Sequence, residues 1–191
     1  MNRTLNIKNM VVAALLCAIG IVIPIFSPIK VVLEPASFTL ASHVAIFMAM
    51  FISPSIALFV ALGSTLGFFL GGFPIVVVLR ALSHVVFAYF GAVYLKRNPE
   101  ALSNWKISTA FSLVIGLLHG LCEVLIVLPF YMGSNLSQGY YDKGFFYAII
   151  GLVGFGTVIH SMVDLTLSTV IWKAMPKSLM MKVAPQASVN A

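Results

Sequence analysis

The sequence predicts an all-α integral membrane protein: a bundle of six transmembrane helices with both termini in the cytoplasm. Three observations carry this. The chain of 191 residues is 61% hydrophobic and only 8% charged, where a soluble domain carries roughly 25% charged residues. Its mean hydropathy is +1.07, so it cannot cover a water-facing surface. The apolar residues also fall in blocks close to the roughly 20 residues a span requires.

The blocks run in order over about 9–28, 37–52, 55–70, 74–95, 108–131 and 145–173. "SPIKVVLEP" closes the first, and Ser53–Pro54 divides the second from the third. "GGFP" precedes the fourth, "KRNPEALSNWK" precedes the fifth, and "GSNLSQGYYDKG" precedes the sixth. Each break is rich in Pro, Gly or polar residues, the residues of turns. The second and third blocks are short for full spans, which predicts tilting or burial against neighbours. The whole chain, 1–191, reads as one domain, with a disordered tail at 184–191. The N-terminus lacks a clean cleavage site, so the first apolar block is expected to be a retained span.

Basic residues orient the bundle. Arg3 and Lys8 precede the first span, Lys96, Arg97 and Lys106 lie between the fourth and fifth, and Lys173, Lys177 and Lys182 follow the sixth. The opposite side has only Lys30 and Lys143. The positive-inside bias therefore places both termini in the cytoplasm. The net charge of +6 is spread between apolar blocks rather than gathered in a patch, which sets nucleic acid aside. Cys17 and Cys122 lie inside apolar blocks and form no disulfide or metal-binding pattern.

Ionisable residues inside spans are costly and usually functional. Here they come in pairs four apart: Arg80 and His84 on the fourth span, His119 and Glu123 on the fifth, His160 and Asp164 on the sixth. Spacing of four puts each pair on one helix face, so three helices each carry one polar stripe. By a rise of about 1.5 Å per residue, Arg80 lies about 9 Å and Glu123 about 12 Å from the outer ends of their helices. They can meet in the outer half of the membrane. His84 belongs with them, while His160 lies nearer the middle and Asp164 deeper. His43 is either a cavity residue or a satisfied helix histidine. The plainer alternative is that these groups pair with one another and only hold the helices in register, most of all for His160 and Asp164.

Small residues mark close packing. Ala14 and Ala18 share one face of the first span, and Gly63, Gly67 and Gly71 make a ladder on the third. Such faces let helices approach closely in lipid; the ladder reads as internal packing. Nothing predicts an enzyme or a cofactor. There is no nucleotide-binding loop and no dinucleotide fingerprint, and H-x-x-x-E at His119 and Glu123 is not a zinc-hydrolase pattern. No metal site is expected.

Over Asn9 to Lys173, and most of all in "PASFTLASHVAIFMAMFISP" and "GGFPIVVVLRALSHVVFAYFGA", the chain resembles the substrate-binding S components of energy-coupling factor (ECF) vitamin transporters. The resemblance implies a bacterial plasma-membrane subunit that captures a vitamin at the outer face. It implies three partners, a transmembrane scaffold subunit and two cytoplasmic ATPases, with Ala14 and Ala18 meeting the scaffold. It implies a vitamin site made by Arg80, His84, Glu123, His119, His43 and His160, closed by a loop holding Lys30, Val32 and Glu34. Arg80 favours a carboxylate ligand, since a guanidinium grips carboxylate well in a dry pocket. The pattern looks most like the pantothenate type, with niacin the nearest rival. A stand-alone secondary transporter is the alternative from another class, with Glu123 or Asp164 carrying the proton.

Overall fold

The computed structural model describes residues 7–33 and 36–176. The tail at 184–191, Arg3, Lys177, Lys182 and Glu34 lie outside the described residues. Helix α1, Ile7–Phe26, is followed by an antiparallel hairpin of β1, Lys30–Leu33, and β2, Ala36–Thr39. Then come α2 (Val44–Ile52), α3 (Pro54–Leu70), α4 (Ile75–Arg97), α5 (Trp105–Met132), the short α6 (Gln138–Asp142) and α7 (Phe146–Ala174).

Six spans were expected, the second and third of them short; among the described residues four helices are long and apolar enough to cross a membrane, α1, α4, α5 and α7, while α3 is a shorter apolar helix of 17 residues. The second apolar block departs most from its expected span. It opens on strand β2, which pairs Thr39 with Lys30 and Phe38 with Val31. Valine and phenylalanine suit a pleated surface better than their apolar character alone reveals. A turn at Leu40–His43 follows, with Ala41 in the left-handed region at φ 67. Only 9 residues remain for α2, about 14 Å at the helical rise.

That short helix is the centre of the molecule. Every residue from Val44 to Met50 is buried, and α2 packs against α1, α3, α4 and α7. A helix that is apolar all round belongs inside. Ser53 ends it and starts the next element: its side chain accepts the Ile56 N–H at 3.2 Å, with Pro54 in the first turn of α3.

The glycine ladder packs internally as expected, with one difference. A Cβ at Gly63 would meet Cys17, and one at Gly67 would meet Ile21, so these two glycines admit α1. Gly71 instead ends α3, its N–H bonded to the Gly67 carbonyl at 2.8 Å. A second close approach joins α5 to α7. There a Cβ at Gly120 would come within 2.8 Å of the Gly154 carbonyl oxygen. Gly154 lies in the first part of α7, Phe146–Gly156, which is wound as a wide π-type helix before the α-helical remainder. The outer surfaces of α1, α5 and α7 expose large apolar side chains such as Leu15, Leu121, Leu125, Phe155 and Ile159, as lipid contact requires.

Candidate ligand-binding site

The polar stripes of α4, α5 and α7 converge. They face a cavity of about 360 Å³ whose lining includes Arg80 and His84 from α4, Glu123 from α5, and Thr157 and His160 from α7. Ser42 and His43 enter from the turn before α2. The hairpin adds Phe38 and Thr39, α3 adds Ser64 and Phe68, and Phe73 and Tyr140 come from the connections on either side of α4 and α5. The site therefore has a polar floor and a largely aromatic wall, the usual composition of a small-molecule pocket.

Arg80 and Glu123 share a level, as their predicted depths require. Arg80 donates from Nε and Nη2 to the same oxygen, Glu123 Oε2, at 3.0 and 2.5 Å. Thr157 Oγ1 donates to that oxygen as well, at 3.1 Å. The other oxygen, Oε1, faces His119 Nε2 at 3.5 Å and His84 Nε2 at 3.6 Å, too far for hydrogen bonds. The guanidinium is thus partly engaged before any ligand arrives. A bidentate clamp through Nε and Nη2 is replaced by a fork shared between Glu123 and the cavity.

Asp164 has a different task. It is fully buried, and accepts the backbone N–H groups of Ala41 at 2.8 Å and His43 at 3.0 Å. Its Oδ2 also accepts from His43 Nδ1 at 3.1 Å. One carboxylate therefore fixes both the turn that starts α2 and the orientation of its histidine. His160, one helical turn earlier, lies 3.4 Å from the same oxygen and 3.0 Å from Ser42 Oγ. Asp164 thus holds the turn, whereas His160 lines the cavity.

His43, His84 and His160 line the cavity, whereas His119 is 0% exposed and packs behind them. Its ring centroid is 4.8 Å from those of both His43 and His84. Lys30 and Val32 fall on β1, in the hairpin whose Phe38 and Thr39 reach the cavity. Phe38 lies 5.5 Å from the His160 ring and against Gly156. Ala14 and Ala18 are exposed on α1.

Several lining residues were not singled out from the sequence. Thr157 could have been: it precedes His160 by three and Asp164 by seven, the spacing of one helix face. Ser42 adjoins His43. Phe38, Phe68, Phe73 and Tyr140 carried no signal, because aromatic residues are common throughout this chain. Burial raises the Tyr140 phenol above its usual pKa, with Arg80 acting in the opposite sense, so it stays a neutral hydrogen-bond donor.

No protein-family model matches the chain, and no solved structure matches it. Among curated proteins, it is 38% identical over 176 residues to the niacin transporter NiaX of Lactococcus lactis subsp. cremoris, covering 90% of this chain and 78% of the relative. The pantothenate type that the sequence pattern favoured finds no support in this comparison. At that identity over that span, the chain belongs to the family of this transporter, within the S-component class of vitamin transporters.

Proposed function

We propose that the protein is the niacin-binding S component of an ATP-driven ECF importer in the bacterial plasma membrane. The observation that carries this reading is one cavity holding Arg80 among Phe38, Phe68 and Phe73. A guanidinium in one cavity with aromatic rings suits a small flat aromatic acid, whose carboxylate needs a cation and whose faces need apolar walls. Pantothenate is flexible and carries hydroxyl groups, which match this wall less well. The name of the relative, a niacin transporter, points the same way.

In this reading Tyr140, Ser64 and the histidine edges supply polar contacts, and the hairpin carrying Phe38 covers the ligand. The chain has no nucleotide motif, so energy must come from partner subunits, the scaffold docking on the exposed Ala14 and Ala18 face. A stand-alone proton-driven carrier fits less well. Glu123 and Asp164 are both occupied by several donors, which disfavours proton loading on either.

Isothermal titration of the purified protein with niacin and pantothenate tests the assignment. Niacin is expected to bind one to one, with no heat from pantothenate. The reverse order would overturn it.

A further inference from the structure

We propose that His43, His84 and His119 form a binding site for a divalent transition-metal ion whose open coordination position faces the ligand cavity. The chain has four histidines, and all lie in one cluster although each comes from a different segment. The ring centroids of His43, His84 and His119 are mutually 4.8 Å apart. One ligand nitrogen from each lies within 4.8 Å of the other two. A tetrahedral ion with bonds of about 2.0–2.1 Å needs nitrogens roughly 3.3 Å apart. Side-chain movement of about 1 Å, with no change of backbone, closes that gap.

The second argument is what these rings lack. His119 is 0% exposed and neither of its nitrogens has a hydrogen-bond partner; His84 Nε2 has none either. Buried polar atoms are rarely left so, because an unpaired one loses its hydration with nothing in return. A bound ion takes one nitrogen from each of these rings. His43 is already prepared: Asp164 Oδ2 accepts from its Nδ1, which leaves the lone pair on Nε2. This carboxylate–histidine pairing is the arrangement that orients metal-ligating imidazoles. The neighbouring set of His43, His160 and Asp164 is the weaker candidate, because Asp164 is already spent on two amides and His43 Nδ1.

Charge balance agrees. Among the described lining and buried groups, Arg80, Glu123 and Asp164 sum to one net negative charge with neutral histidines. An anionic ligand would make this worse in a low-dielectric site. A divalent ion turns the sum to +1, and a monocarboxylate brings it to zero. Imidazole sets suit zinc, copper, iron and nickel, and three histidines with an open position leave room for one ligand atom. The metal site stands on histidine geometry alone. Only the identity of the fourth ligand rests on the niacin reading, where it would be the pyridine nitrogen. The sequence expectation of no metal considered spacing along single helices, and this set draws one residue from each of three segments.

The test uses tag-free, chelator-treated protein in detergent, titrated with Zn²⁺ by calorimetry and with Co²⁺ by visible absorption. One ion per chain is expected, with the d–d bands of a tetrahedral site. His84→Gln and His119→Gln should abolish uptake, and Asp164→Asn should weaken it about 10–100-fold. His160→Gln should leave it unchanged. Folded wild-type protein that takes up no ion overturns the proposal, as does uptake that is the same in all variants. Metal loading should also tighten niacin binding. An ion that binds without changing niacin affinity removes the open position. Metal binding with no niacin binding in either state sinks the niacin reading and leaves the metal site intact.

Discussion

Arg80 gives two N–H groups to a single oxygen of Glu123, at 3.0 and 2.5 Å, and leaves the other carboxylate oxygen to two histidines. The pair joins α4 to α5 at the cavity floor and behaves as one unit. Removing either charge alone strands the other in a site where Glu123 is only 4% exposed.

Arg80→Ala should therefore cost about 3–5 kcal/mol of stability, as breaking a buried pair does, as well as niacin binding. The double change Arg80→Met with Glu123→Gln removes both charges and should restore most of the thermal midpoint. Niacin binding should stay lost in the double variant. Recovery of binding together with stability would show that Arg80 does not contact the ligand.

Asp164→Asn keeps the size of the side chain but replaces an acceptor oxygen with a donor facing the N–H of Ala41 or His43. The expected cost is about 1–3 kcal/mol, read as a lower unfolding midpoint in detergent. Ala41→Gly at the same turn should be neutral or slightly stabilising, since Ala41 holds φ 67 and glycine bears that conformation without strain. A large loss from Ala41→Gly would refute this account of the turn.

Much of the site was legible because polar residues inside apolar helices are rare, and those four apart must share a face. Arg80, Glu123, His84, His119 and His160 announced themselves that way. The hairpin did not. "KVVLEPASFT" is as apolar as the helices around it, and hydropathy alone cannot separate a short strand from a buried helix. For the same reason α2 was lengthened into a span, when its apolar residues serve a buried central helix. The aromatic wall stayed hidden because nothing local distinguishes Phe68 or Phe73 from lipid-facing phenylalanines.

Gly120 and Gly156 set the position of α7. A methyl group at Gly120 would meet the Gly154 carbonyl at 2.8 Å, and backbone cannot yield as a side chain does. Gly120→Ala should push α7 from α5, loosen the Thr157 bond to Glu123 and lower both stability and niacin affinity. Gly156→Ala meets only the Phe38 ring, at 2.7 Å, so the hairpin can swing aside. That variant should keep its unfolding midpoint while niacin dissociates faster, measured by stopped-flow fluorescence. Equal dissociation rates in wild type and Gly156→Ala would count against Phe38 as a cover over the ligand.

The face of α1 divides cleanly between inside and outside, and this allows assembly to be tested apart from binding. Ala13 and Gly20 are buried, Cys17 and Ile21 meet the glycines of α3, and Ala14 and Ala18 are exposed. Ala14 and Ala18 are exposed among the described residues, so Ala14→Trp with Ala18→Trp should fold and bind niacin with unchanged affinity. A partner helix that needs close approach to small residues would be excluded, so co-purification with a scaffold subunit and ATP-dependent uptake in vesicles should both be lost. Gly63→Leu supplies the contrast, because its side chain runs into Cys17 inside the bundle. It should lower stability and binding before assembly is even tested. Normal uptake by the double tryptophan variant would place the scaffold contact elsewhere, and loss of niacin binding in it would mean that this face of α1 supports the bundle itself.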